Sequence, residues 1–282
     1  MLFRLIKGFA RLGQTPAVAT AQGRVYVCLM GGLGNQLFQY AFARFLVAQG
    51  VAVSGLVTNL FENEKYSRQL LVHALSRIPV ARLSKDELAT LKLLADENGL
   101  AIRDALVQGG RTDVVCRGYW QDAGYANAVA AELAADLKTF GERHHPSESA
   151  DECIVHVRRH DYGHIGLLPL AYYQAALEHC GSPSFRIVTD EPNFCNYMFA
   201  RVPGYAGVVR GDTADPWSDF YLMSRARIQI IANSSLSWWT AWLGRATGAT
   251  TTVIAPAEWS LMDDANRCPA EWHRIDTRLA RP

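Results

Sequence analysis

The sequence predicts an α/β protein built from two Rossmann-like domains whose parallel sheets face a cleft. Three observations carry that expectation. Short apolar runs alternate with helix-periodic stretches along most of the chain. The segment Gly141–Glu152, GERHHPSESADE, interrupts the alternation with charges, one proline and no large apolar residue, and so reads as a linker. Finally, 282 residues that are 49% hydrophobic and 20% charged exclude disorder as the main state. A chain of this size buries about three quarters of its unfolded surface.

The elements follow in order. Val25–Met30 is a continuous apolar run ending in Gly31-Gly32, the pattern of a buried parallel strand entering a tight loop. Gln36–Gln49 has helical periodicity, and Val51–Val57 reads as a second strand. Ser84-Lys85-Asp86-Glu87 is a capping box that opens a helix to about Asn98. Asp113–Cys116 is a short strand, and Asp122–Thr139 is Ala-rich and helical. After the linker, strands are expected at Cys153–Arg158, Phe185–Thr189, Gly207–Val209, Ile228–Ala232 and Thr251–Ala255. Helices are expected at Leu170–Cys180, Pro192–Ala200, Trp217–Arg225 and Ser234–Ala246. The divisions are an N-terminal helix and connection over 1–23, a first domain over 24–140, a second over 153–260, and a tail over 261–282.

Charge narrows the partners. Lys and Arg number 28 against 27 Asp and Glu, so a nucleic-acid surface is not expected. No run approaches the roughly 18 apolar residues of a membrane span. The six cysteines are scattered, without zinc spacing, and the start of the sequence lacks the apolar core of a signal peptide. These features suit a reducing cytoplasm. In the first twelve residues, helical spacing puts Arg4, Lys7 and Arg11 opposite Leu2, Leu5, Ile6 and Phe9. Two readings fit: a peripheral helix on an anionic membrane, or a terminal helix docked on the chain's own surface.

Three segments carry chemistry. In Gly31-Gly32-Leu33-Gly34-Asn35-Gln36, glycines at a strand-to-helix turn let backbone approach a ligand, and the helix N-terminus favours an anion. A dinucleotide site is excluded, because Leu37 stands at the third glycine and Ser54-Gly55 supply no ribose acid. In Cys153–Asp161, CIVHVRRHD, strand alternation puts His156 and Arg158 on one face and Arg159 on the other. Arginine is always charged and binds phosphate bidentately, which makes Arg158 the anion ligand to expect. In Ile230–Leu243, IIANSSLSWWTAWL, a strand ends at Asn233-Ser234-Ser235, good N-cap residues opening an apolar helix, and hence a second anion site. At least two of Trp238, Trp239 and Trp242 are expected in the core.

These segments also carry a resemblance. GGLGNQLFQYAFAR closely resembles the N-terminal motif of the α-1,2-fucosyltransferases of glycosyltransferase family 11. His156 to Asp161 resembles the H-x-R-R-x-D motif shared by α-1,2-, α-1,6- and protein O-fucosyltransferases, and Asn233–Trp239 resembles that family's N-S-x-F-S-W-W. Smaller likenesses lie at Gly118-Tyr119-Trp120-Gln121, Thr189-Asp190-Glu191 and Ile254-Ala255-Pro256 with Trp259. The sequence departs from the family at His160, where glycine is common, and at Leu236, where phenylalanine is.

The resemblance implies a GT-B-like fold with an acceptor-side first domain and a GDP-sugar-binding second domain. It implies inverting transfer of L-fucose from GDP-β-L-fucose to O2 of a galactose-type residue, without a metal, in bacterial surface polysaccharide or O-antigen synthesis. The acceptor is lipid-linked on one reading. Arg158, Asp161 and His156 are the implied catalytic residues. Gly32, Gly34, Asn35, Gln36, Arg159, Asp190, Asn233, Ser234 and Ser235 are the implied substrate contacts, with the serines on the diphosphate. Asp190 could also accept from guanine or ribose, and Tyr119 and Trp120 could stack on a sugar or form an aromatic corner. Two alternatives stay open: a transferase for another GDP-L-sugar such as colitose or L-galactose, and a non-catalytic nucleotide-sugar or glycan-binding protein.

Overall fold

The computed structural model describes residues 23–63, 69–95, 98–108, 112–146, 152–160, 163, 166–181, 183–209, 215–259 and 267–277. The first domain contains β1 (Val25–Cys28), α1 (Leu33–Ala48), β2 (Val53–Val57), β3 (Val80–Ala81), α2 (Lys85–Ala89), β4 (Lys92–Leu94), α3 (Gly99–Gln108), β5 (Val114–Cys116), α4 (Ala123–Ala128) and α5 (Ala130–His144). The second contains β6 (Cys153–Val157), α6 (Leu170–His179), β7 (Phe185–Thr189), α7 (Pro192–Phe199), β8 (Tyr205–Val208), α8 (Pro216–Ser224), β9 (Ile228–Ile230), α9 (Ser235–Thr247), β10 (Thr252–Pro256) and β11 (His273–Ile275).

Every described strand pairing is parallel. The sheet orders are β3-β2-β1-β5-β4 and β11-β10-β9-β6-β7-β8. All five residues of β6 are buried, because helices cover both faces of a parallel sheet. This is the GT-B-like pairing of two Rossmann-like α/β domains.

An aromatic seam joins the domains. Phe38 of α1 lies 4.7 Å from Trp238 and 5.0 Å from Trp239 of α9, ring centre to ring centre. Trp242 donates its indole N–H to Asn127 Oδ1 at 3.0 Å, and Tyr221 of α8 donates its hydroxyl to the Leu137 carbonyl at 2.7 Å. All three tryptophans of α9 are buried in this core, which continues from one domain into the other. Their place is therefore packing, not sugar stacking.

Four details differ from the sequence reading. The capping box at Ser84 forms, but its helix stops at Ala89 and Lys92–Leu94 pair with β5 instead. The helix α3 follows, and the N–H of its first residue, Gly99, donates to the Tyr125 hydroxyl at 2.9 Å. The helix α5 runs on through the expected start of the linker, because Gly141 leaves room for Tyr221: an added Cβ would stand 2.4 Å from its ring. The tail supplies β11, an edge strand on β10.

Candidate active site

In open parallel sheets, ligands bind beyond the carboxyl ends of the strands where strand order reverses. That point lies between β1 and β5 in the first sheet and between β6 and β9 in the second. The loops leaving those four strands carry the glycine segment, Gly118–Gln121, the arginine pair and the Asn233 segment. The two halves touch at helix N-termini. A Cβ added at Gly34 would stand 2.4 Å from Leu236 N, 2.4 Å from the Ser235 carbonyl carbon and 2.6 Å from Ser235 Oγ. Motifs 200 residues apart in sequence thus share one seam, to within about a turn of helix.

At the end of β6, Asp190 organises the arginine loop. Its Oδ2 accepts from Arg158 Nη1 at 3.2 Å and from the His160 N–H at 3.0 Å, and its Oδ1 accepts from the Arg159 N–H at 3.0 Å. The Asp190 side chain is only 7% exposed, whereas Arg158 keeps 28%. Arg159, two residues beyond the end of β6, takes other partners. Its Nε donates to Glu191 at 3.1 Å and its guanidinium lies 3.6 Å from the Phe194 ring centre. The two arginines thus take different partners: Arg158 pairs with Asp190, and Arg159 anchors the end of the strand to the start of α7.

His156 is buried, and its Nδ1 hydrogen-bonds Ser237 Oγ of α9. Burial first, and neighbouring Arg158 second, push its pKa down to about 4. The ring is neutral at physiological pH, and it joins the central strand to α9. Between about pH 6.5 and 4 the unfolded chain binds a proton here that the folded chain refuses. Stability is therefore expected to fall as pH falls through that window. Denaturation midpoints measured across it should slope less in His156→Gln, and an unchanged slope would assign the acid sensitivity elsewhere.

The first turn of α1 is split between inward and outward work. Gly32 is the N-cap and Gly34 supplies the close approach. Gln36 is fully buried and fully bonded. Its Nε2 donates to the Gly31 and Gln69 carbonyls at 2.9 and 2.8 Å, and its Oε1 accepts from the Leu71 and Val72 N–H groups at 2.8 and 3.2 Å. These bonds use the whole capacity of a primary amide, so Gln36 holds the glycine loop in place of the substrate contact expected of it. Gln36→Ala should lower stability by about 2–4 kcal/mol, because buried partners are left unpaired. The measurement is the thermal denaturation midpoint against wild type, and an unchanged midpoint would contradict this role. Asn35 faces outward from α1: its Oδ1 accepts from Gln121 at 2.8 Å, and Gln121 Oε1 accepts from Arg267 Nε at 3.0 Å.

At α9, Ser234 is a buried N-cap whose hydroxyl makes no capping bond, and Ser235 begins the helix. Asn233 is also buried. Its Nδ2 donates to the Gly166 carbonyl at 2.9 Å, and its Oδ1 has no partner among the described residues. Trp120 is buried at a positive φ of 44° and stacks on Phe42 with ring centres 4.2 Å apart, while Tyr119 beside it is 42% exposed. Of that pair, Tyr119 is the one available to a ligand. Asp161 and residues 1–12 lie outside the described residues. Gln121, Arg267 and Ser237 are participants to which sequence reasoning gave no role, although Gln121 and Ser237 lie within the motif segments. Ser237 was recoverable, since it stands one helical turn after Ser234; nothing in sequence links Arg267 to Gln121.

A cavity of about 290 Å³, lined by Val25, Val51, Lys92 and Val114 among others, sits at the amino ends of the first sheet, away from the seam. Among the described residues, no group of three or more His, Cys, Asp and Glu is placed to hold a metal ion. No helix among them is long and apolar enough to cross a membrane.

Similarity to known proteins bears on the chemistry. The chain is 26% identical over 295 residues to the O-antigen biosynthesis glycosyltransferase WbnK of Escherichia coli, covering 83% of this chain and 94% of that one. It is 26% identical over 296 residues to an alpha-1,2-colitosyltransferase of Escherichia coli, covering 88% of this chain and 97% of that one. Both relatives, matched along most of their length, are glycosyltransferases. No protein-family model matches the chain. Among solved structures, the Escherichia coli heptosyltransferase WaaC with ADP-2-deoxy-2-fluoro heptose aligns with a TM-score of 0.48 at 11% identity, over 89% of this chain and 92% of that one.

Proposed function

We propose that the chain is an inverting glycosyltransferase that moves L-fucose from GDP-β-L-fucose to O2 of a galactose-type residue in a glycan. The α-1,2-linked product would serve bacterial surface polysaccharide such as O-antigen. The observation that carries the reading is the contact between the N-termini of α1 and α9 at the switch points, with Arg158 in the loop that leaves β6 at one of them. The motif resemblance and the two glycosyltransferase relatives support it.

In this mechanism the diphosphate lies between Arg158 and the N-terminus of α9. The bond from fucose C1 to the β-phosphate oxygen breaks, and the electron pair leaves with GDP. The acceptor O2 bonds to C1 from the opposite face and gives up its proton, so the anomeric centre inverts. Negative charge grows on the leaving phosphate. Arg158, the α9 N–H groups and the hydroxyls of Ser234 and Ser235 stabilise it more in the transition state than before it. A diphosphate held this way needs no metal ion, so activity in EDTA is expected. Asp190 sets Arg158 in place. His156, neutral and bonded to Ser237, is a poor base, which leaves Asp161 or water to take the acceptor proton. Tyr119 is the sugar-stacking candidate on the acceptor side. In this reading the enzyme works in the cytoplasm on lipid-linked acceptors, with residues 1–12 on the inner face of the plasma membrane.

One relative favours a second reading, transfer of colitose from GDP-colitose, since it is an alpha-1,2-colitosyltransferase. The test is a competition between GDP-fucose and GDP-colitose on a panel of β-galactosides, with EDTA present and the linkage determined. An α-1,2-fucosylated product supports the first reading. Preferential colitosyl transfer supports the second, and saturable donor binding without transfer to any acceptor would overturn both.

A further inference from the structure

Asn233 holds an atom that the described residues leave unanswered. Its amide orientation is fixed, because only Nδ2 can donate to the Gly166 carbonyl 2.9 Å away. Oδ1 is therefore the other end of the amide, and it is buried without a hydrogen-bond partner among the described residues. The residue is 4% exposed and joins the loop after β9 to the loop after β6, the two loops that flank the switch point. It directly precedes Ser234, the N-cap of a helix of 13 residues.

Buried acceptors are almost always satisfied, and those that are not are frequently waiting for a ligand or an ordered water. The chemistry of this one is restrictive. A carbonyl oxygen cannot bond a phosphate oxygen, because neither carries a proton at neutral pH. The neighbouring serine hydroxyls and helix N–H groups suit the diphosphate; Asn233 Oδ1 does not. What it can bind is a donor: a hydroxyl or an N–H.

We infer that Asn233 Oδ1 accepts a hydrogen bond from a hydroxyl or N–H of the bound nucleotide sugar, making it a specificity-determining contact beside the diphosphate site. The inference rests on the nucleotide-sugar reading above. A site built around such a bond discriminates against a ligand lacking the proton, since the acceptor is then buried unpaired.

The experiment is a binding cycle on the full chain by titration calorimetry. Wild type and Asn233→Ala are each titrated with GDP, 2′-deoxy-GDP, IDP, GDP-fucose and GDP-colitose, in which hydrogen replaces the fucose 3-hydroxyl. IDP lacks the guanine 2-amino group. Loss of the Gly166 bond in Asn233→Ala weakens all ligands alike and cancels in the cycle. The expected result is that one deletion weakens binding to wild type on the order of tenfold and has little effect on Asn233→Ala. Coupling with IDP or 2′-deoxy-GDP assigns the bond to the nucleoside; coupling with GDP-colitose or GDP assigns it to the sugar. If nucleotides bind but no deletion couples to Asn233, the inference is overturned while the donor-site reading stands. If none of the five ligands binds wild type, both fall. Should Asn233→Ala fail to fold, the wild-type series alone decides: equal affinity for all five ligands contradicts the inference.

Discussion

Replacing Arg158 by alanine is expected to lower kcat for sugar transfer by about 10²- to 10³-fold, the usual loss when one preorganised group that meets growing charge is removed. Binding of the ground-state donor should suffer less, because charge on the diphosphate increases as the sugar departs. Arg158→Lys should recover only part of the rate. Lysine keeps the charge but has no planar fork with which to hold Asp190 and a phosphate oxygen together. The measurement is steady-state kinetics with GDP-fucose at saturating acceptor. Near-wild-type turnover in Arg158→Ala would remove the arginine from the mechanism. Arg159→Ala is the natural comparison. It should cost stability through the lost Glu191 and Phe194 contacts and leave kcat within a few-fold of wild type.

The second large effect is expected at Gly34. Its role is space. An alanine methyl would lie 2.4 Å from backbone atoms of Ser235 and Leu236, and backbone at a helix start cannot rotate aside as a side chain can. Overpacking typically costs about 1–3 kcal/mol. Here relief comes only by moving the N-termini of α1 and α9 apart, which dismantles the seam. Gly34→Ala should therefore lose most donor binding while the aromatic packing around Phe38 and Trp238 keeps the chain folded. Circular dichroism with nucleotide titration would separate the two effects. Wild-type affinity in a folded variant would show that the two helix starts need not touch.

Much of the fold was legible because its signals are local. A parallel strand buried on both faces must be a short apolar run, and Phe185–Thr189 was read to the residue. The failures are those where partners decide. Lys92–Leu94 became a strand because β5 lies beside it, although the preceding capping box argued for a longer helix. At the site, β6 ends at Val157, so both arginines stand in the loop beyond it, where Arg158 pairs with Asp190 and Arg159 with Glu191 and Phe194. What sequence could not provide was the bonding of each polar group. Gln36 belongs to a motif segment, yet its amide is spent on Gly31, Gln69, Leu71 and Val72. Asp190 reads in sequence as a contact for the substrate, guanine or ribose, and only the fold shows it gathering Arg158 and two backbone N–H groups.

The central claim is that a nucleotide diphosphate lies where the two switch points meet. A crystal structure with GDP tests it most directly. The account predicts the phosphates between the Arg158 guanidinium and the N-terminus of α9, within hydrogen-bond distance of Ser234 or Ser235, with Asp190 still holding Arg158. GDP bound elsewhere, for example in the cavity at the amino ends of the first sheet, would contradict it.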